Sequence, residues 1–209
     1  MLTLYRMKHS TNCERVEMAL AYKKLEACSI WVDPEDRSEV NRVSGQDLVP
    51  VLMFGETPVI DSMEIVRWIE ERFPDRPRLY PAEPAKRAEC LLFIDWFNRV
   101  WKRPPNELDG ELQKPEKDRD PRRVARLGAA MAGSLDLFEQ MLTGREYLLG
   151  EFGAADIAAF PFLKYASIPV APDDDDLFHF ILRDFQRPGT NHPNVLAWIA
   201  RMDQRPRLQ

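Results

Sequence analysis

No apolar run in the sequence approaches the roughly 20 residues that a membrane-spanning helix needs, so no membrane span is expected. The start, Met1-Leu2-Thr3-Leu4-Tyr5-Arg6, passes directly into strand-like sequence without the apolar stretch and cleavage site of a secretory signal. A cytoplasmic location is therefore expected. Cysteine is scarce: Cys13, Cys28 and Cys90 are odd in number and widely spaced, which gives neither a disulfide framework nor a zinc knuckle. Of the histidines, His179 and His192 show no metal-ligand spacing, and the run Asp173 to Asp176 lacks the spaced ligands, glycine and terminal glutamate of an EF-hand. That run reads as a solvated loop, and no metal is expected. Basic excess is also missing, because 29 Lys and Arg face 34 Asp and Glu for a net charge of −5. Nucleic acid and anionic membrane, which both select a basic face, are not expected as partners.

What the chain does have is 209 residues, 44% hydrophobic and 30% charged, the balance of an ordinary globular protein with material for two small domains. Residues 3–5 are strand-like, and a helix follows on which Val16, Ala19 and Leu20 face inward while Glu14, Arg15, Glu17 and Lys23 supply the wet face. Residues 29–32 read as a second strand, parallel to the first because a crossover helix separates them. The polar stretch 34–45 predicts a short irregular helix. The apolar runs 49–54 and 58–60, split by Gly55-Glu56-Thr57, predict an antiparallel hairpin. Ile65, Val66, Ile69 and Phe73 then form a helical stripe that Pro74 ends.

Four prolines between 74 and 84 exclude a helix or central strand there and mark a linker. Beyond it the periodicity is helical. Leu92, Phe93, Trp96, Phe97, Val100 and Trp101 suit one long helix, and Val124, Leu127, Met131, Leu135, Phe138 and Leu142 another. Three more helices are expected over 154–166, 177–185 and 193–202, with charged loops over 102–121 and 167–176. The expected architecture is thus a β-α-β-α-β-β-α domain over 1–75, for which the thioredoxin arrangement is one candidate, a linker over 76–84 and an all-α domain over 85–209.

Three local sequences together resemble the cytosolic glutathione transferase family across essentially the whole chain. Ser10-Thr11-Asn12-Cys13-Glu14-Arg15-Val16 is similar to the Ser-x-x-x-x-Arg-Val run of its serine-type classes, bacterial or phi/theta-like. Leu48-Val49-Pro50-Val51-Leu52, followed by Ile60-Asp61-Ser62 and a helix, is similar to its glutathione-binding segment. Phe152-Gly153-Ala154-Ala155-Asp156-Ile157 resembles its buried capping box, with Gly153 where the family usually has Ser or Thr. The close, Asn191-His192-Pro193-Asn194-Val195 with Trp198, also matches the family pattern. The resemblance implies a thioredoxin-like half that binds glutathione as co-substrate, with no separate cofactor. It implies a helical half contributing the site for a hydrophobic electrophile, and a homodimer formed through exposed faces of the helices over 62–73 and 84–101. It makes Ser10 the residue that activates the thiol. The resemblance further implies that Val49, before a cis Pro50, pairs with the cysteinyl main chain of glutathione, and that Asp61 and Ser62 take its γ-glutamyl end.

The chemistry is sound on its own terms. A thiol of pKa about 8.5 is a few per cent thiolate at neutral pH, and lowering it by two units requires roughly 2.7 kcal/mol. A hydroxyl hydrogen bond to an anion contributes about 1.5 to 3 kcal/mol and a helix N-terminus a further ~0.3 to 1. Ser10 also suits simple helix capping, which does not oppose the catalytic reading. The run from Ser10 to Cys13 stands where thioredoxins carry Cys-x-x-Cys, so dithiol exchange is disfavoured, although Cys13 keeps a glutathione-dependent reductase open beside a core role. Cys28 and Cys90 read as core. His9 and Asn12 adjoin the site as secondary candidates. Trp96, Phe97 and Trp101 suit either the electrophile site or the helical core. A regulatory protein that retains the fold without turnover is the remaining alternative.

Overall fold

Strand β1 (Leu2–Arg6) is buried at four of its five residues, the pattern of an inner strand covered on both faces. It pairs in parallel with β2 (Ala27–Trp31), Leu4 opposite Ser29, and antiparallel with β3 (Val51–Phe54), Leu4 opposite Leu52. The hairpin from β3 to β4 (Thr57–Ile60) turns at Gly55, whose φ of +62° glycine adopts without steric cost. The sheet order is β2-β1-β3-β4. Helix α1 (Thr11–Tyr22) makes the crossover between the parallel strands, α2 (Ser38–Ser44) links β2 to the hairpin, and α3 (Ser62–Arg72) follows β4. This is the thioredoxin-like arrangement. The ladder of β3 begins at Val51 rather than Val49, because Pro50 has no N–H to give it.

The structure, a computed structural model, describes residues 1–209 and forms two compact units. The first comprises Met1–Arg87 with Arg205–Gln209, and the second Ala88–Gln204. The division falls inside α4 (Pro84–Trp96), just past the proline-rich stretch, and the closing residues return to the first unit.

In the first unit, Leu4, Val16, Ala19, Leu20, Leu52, Ile65, Val66 and Ile69 are fully buried. The expected wet face of α1 is corrected: Glu14, Arg15 and Lys23 are buried as well. Each is buried with a partner, as a charge must be. Lys23 lies 2.7 Å from Glu70 and donates to the Phe73 carbonyl at 3.1 Å, and Glu70 in turn accepts the Leu79 and Tyr80 N–H groups. This network ties α1 and α3 to the proline-rich stretch, which lies inside the first unit. Cys90 is buried, but Cys28 is exposed, against expectation, because β2 is the sheet edge.

The second unit adds α5 (Arg103–Leu112), α6 (Pro121–Leu142), α7 (Ala154–Leu163), α8 (Leu177–Phe185) and α9 (Pro193–Asp203). A π-helical turn, Phe97–Trp101, ends the α4 segment. The expected loop over 102–121 contains α5, since Pro104 and Pro105 stand in its first turn, where no backbone donor is needed. Helix α7 is buried on all sides and is the centre of this unit. Its Asp156 accepts from Gly153 N at 3.1 Å, Leu148 N at 3.0 Å and Trp198 Nε1 at 2.8 Å, so the carboxylate half of the expected capping box is present. Glu139 of α6 caps α9 by accepting from Asn194 N and Val195 N. The aspartate run is only partly solvated. Asp174 is buried against His179, with Nδ1 at 2.8 and 2.9 Å from its two oxygens, and Asp176 caps α8.

Candidate active site

Within the first unit, the C-terminal end of β1 leads through a short loop into α1. His9 in that loop has φ +62°, a left-handed conformation in which histidine is less rare than most side chains. It is half-buried, as is Ser10. Ser10 is the N-cap of α1, its Oγ accepting from Cys13 N at 3.3 Å. A hydroxyl that accepts a capping bond keeps its own hydrogen to donate. The capping and catalytic readings of Ser10 are therefore compatible in this geometry.

Cys13 is fully buried one turn into α1. Burial pushes its thiol up to about 11, against the opposing effect of the Ser10 hydroxyl and the Met7 main chain. At neutral pH it is a protonated thiol, which is a poor nucleophile.

On the neighbouring helix, Asp61 caps α3, with Oδ1 accepting from Met63 N at 2.9 Å and Glu64 N at 3.1 Å. Its backbone is at φ +67° and ψ +128°, outside the regions that L-residues favour, so the cap is held at a conformational cost. Asp61 is exposed, whereas Ser62 is buried.

Ser62 is joined to α1 by Arg15. The guanidinium is fully buried and its Nη1 donates to Ser62 Oγ at 3.2 Å and to Asn12 Oδ1 at 3.3 Å, while Ser62 Oγ approaches Asn12 Oδ1 at 3.4 Å. Burial lowers the Arg15 pKa to about 9, an effect that the Asp61 carboxylate opposes, so the group is still a cation at neutral pH. Ser10, Asn12, Asp61 and Ser62 thus sit at two adjoining helix N-termini with a buried positive charge beneath them. Such an arrangement suits an anion. The Val49–Pro50 bond is cis; Pro50 is buried, and Val49 lies just outside the β1–β3 ladder, with its main chain left for other pairing.

The aromatic candidates lie in the second unit. Phe97 and Trp101 are core residues, stacked at 4.5 Å with an interplanar angle of 11°, with Phe138 and Phe162 edge-on to both. Trp101 Nε1 donates to Ser134 Oγ at 2.9 Å. Trp96 alone of the three is half-buried. The sequence reading missed Arg15 as a site residue. The signal available was its place in the Ser-x-x-x-x-Arg-Val motif, five positions after Ser10, but helical periodicity assigned it to solvent.

Two family models match the chain. That of the glutathione S-transferase N-terminal domain covers residues 4–77 and that of the C-terminal domain residues 121–201. The chain belongs to the glutathione S-transferase family. Glutathione S-transferase GstB of Escherichia coli K12 is 26% identical over 218 aligned positions, covering all of this chain and 96% of the relative. The theta class glutathione S-transferase of Xanthomonas axonopodis pv. citri, solved with glutathione bound, is 26% identical with a TM-score of 0.70, over 98% of this chain and 93% of that one. The β-etherase LigF of Sphingobium sp. strain SYK-6 has a TM-score of 0.77 at 21% identity, over 98% and 96% of the two chains, and shares the fold. No helix is long and apolar enough to cross a membrane.

Proposed function

We propose that the protein is a glutathione transferase that binds glutathione on its first unit and holds the sulfur as a thiolate at Ser10 for attack on an electrophilic carbon. The observation that carries this reading is the buried Arg15 bridge to Ser62 at 3.2 Å, which joins the Ser10-bearing helix to the helix capped by Asp61. The γ-glutamyl ammonium pairs with the exposed Asp61 carboxylate. Its α-carboxylate takes the Ser62 hydroxyl as principal donor, the hydrogen turning from its long 3.4 Å bond to Asn12 Oδ1, while the Met63 and Glu64 amides stay on Asp61 at 2.9 and 3.1 Å. Val49 supplies main-chain pairing to the cysteinyl residue. The Ser10 hydrogen then points to the sulfur, and the thiolate forms a C–S bond as the leaving group departs with its electron pair, or as an activated double bond takes up a proton.

The protonated state of Cys13 favours this chemistry over disulfide exchange through that residue. A hydrophobic electrophile and a homodimer belong to the same proposal; Leu91 and Leu92 of α4, 42% and 71% exposed, are apolar surface suited to a contact between copies. Calorimetric titration with glutathione, followed by turnover across aryl halides, epoxides, enones and disulfides, tests it. Saturable binding with conjugate formation is expected. Absence of binding at millimolar glutathione would overturn the reading.

A further inference from the structure

The closing segment Arg205–Gln209 belongs to the first unit and lies against α1 and the end of β1. Leu208 N donates to the Glu17 carbonyl at 3.2 Å, and the Leu208 carbonyl accepts from Arg6 Nη1 at 3.0 Å. Arg6 also pairs with Glu17 at 3.2 Å and lies 4.0 Å from the Trp31 ring centroid. One turn nearer the start of α1, Arg207 Nε and Nη2 both donate to Glu14 Oε1, at 3.1 and 2.9 Å, while its Nη1 reaches the Arg205 carbonyl at 2.6 Å. The side chains of Glu14 and Arg207 are only 11% and 23% exposed. Water and salt screen this pair far less than they screen a surface one.

Glu14 occupies the helical turn that Ser10 opens, since its N–H donates to the Ser10 carbonyl at 3.0 Å. Its carboxylate favours the helix dipole but opposes a second negative charge forming at the same helix end. We propose that Arg207 is a positioning residue for thiol activation. By clamping Glu14 it fixes the first turn of α1 and neutralises an acid charge in the turn that Ser10 opens. The electrostatic half rests on the glutathione transferase reading above; the clamp half does not. The charged groups around this turn are Arg6 of β1, Arg15 and Glu17 of α1 itself, Asp61 of the α3 cap, and Arg205 and Arg207 of the closing segment; Arg15 and Asp61 are common to every variant below.

The test uses the full chain with Arg207→Ala, Arg207→Lys, Glu14→Gln and the double variant Glu14→Gln with Arg207→Ala. Amide hydrogen exchange over residues 11–17, without glutathione, should quicken by about tenfold in Arg207→Ala, Glu14→Gln and Arg207→Lys, all of which lose the forked pair. Unchanged exchange would overturn the clamp, whatever the ligand. In the glutathione complex, ultraviolet titration of the thiolate should show the pKa raised by roughly 0.3 to 0.6 unit in Arg207→Ala and lowered by a similar amount in Glu14→Gln. The double variant and Arg207→Lys should stay near wild type. Loosening alone moves both single variants the same way, so shifts of one sign, or none, would overturn the electrostatic role. Failure of wild type to bind glutathione would instead strike the proposed function and leave the exchange result to judge the clamp.

Discussion

Replacing Asp156 tests how the helical unit is held together. The carboxylate is fully buried and satisfies two buried donors, Leu148 N and Trp198 Nε1, on Oδ1 and the half-buried Gly153 N on Oδ2. Asp156→Ala orphans the two buried donors at about 1 to 3 kcal/mol each, a loss of roughly 2 to 6 kcal/mol against a usual domain stability of about 5 to 15. Asp156→Asn keeps Oδ1 for two donors and sets an amide N–H₂ against Gly153 N, so about 1 to 3 kcal/mol should be lost. Burial also raises the Asp156 carboxyl to about 6, against the three donors that favour its charged form. Between pH ~4 and ~6 the folded state then binds more protons than the unfolded one. This group's contribution to stability therefore falls as pH rises through that window and is level above it, by up to roughly 3 kcal/mol. Urea unfolding followed by tryptophan fluorescence at several pH values measures both effects. Equal losses in Asn and Ala, or a wild-type pH dependence that survives unchanged in Asp156→Asn, would refute the reasoning.

Other consequences are as direct. A Cβ at Gly128 would stand 2.4 Å from Phe185 Cδ1, so Gly128→Ala should force α6 and α8 apart, lose about 1 to 3 kcal/mol and lower the melting temperature; an unchanged melt would mean that the ring moves freely. Because the buried Cys13 thiol is raised to about 11 while Cys28 is exposed, brief iodoacetamide treatment near pH 7.5 should alkylate Cys28 and spare Cys13, as read by peptide mass spectrometry. Early labelling of Cys13 would restore the reductase alternative. Ser62→Ala should weaken glutathione binding about tenfold in calorimetry, the loss of one charge-assisted hydrogen bond, with native-like folding; unaltered affinity would remove Ser62 from recognition.

What the sequence made legible was the part carried by local pattern. The apolar stripe from Val124 to Leu142 gave α6, the turn residues between two short apolar runs gave the β3–β4 hairpin, and Ser10, Pro50, Asp61 and Ser62 stood out through their motifs. Hidden were features whose cause lies far along the chain. Arg15 and Lys23 look like surface charges on α1 until Ser62 and Glu70 arrive from α3, and Glu14 meets Arg207 from 193 residues away. Cys28 looked buried because strand propensity does not say which strand lies at the edge. Helix α5 was obscured by Pro104 and Pro105, which break a helix anywhere but at its start, and nothing local marks that start.

The central claim is that Ser10 holds a hydrogen bond on the glutathione sulfur that strengthens as the thiolate forms. Its Oγ already accepts the Cys13 N–H at 3.3 Å, so Ser10→Ala removes a cap, at about 1 kcal/mol of stability, as well as the bond to sulfur. Only the second loss discriminates between ionisation states. Ultraviolet titration of bound glutathione in wild type and Ser10→Ala measures it. The apparent thiol pKa should rise by roughly one to two units, about 1.4 to 2.7 kcal/mol, with slower turnover near neutral pH and little change in affinity. A titration curve that does not move, with turnover intact, would leave Ser10 a helix cap and nothing more.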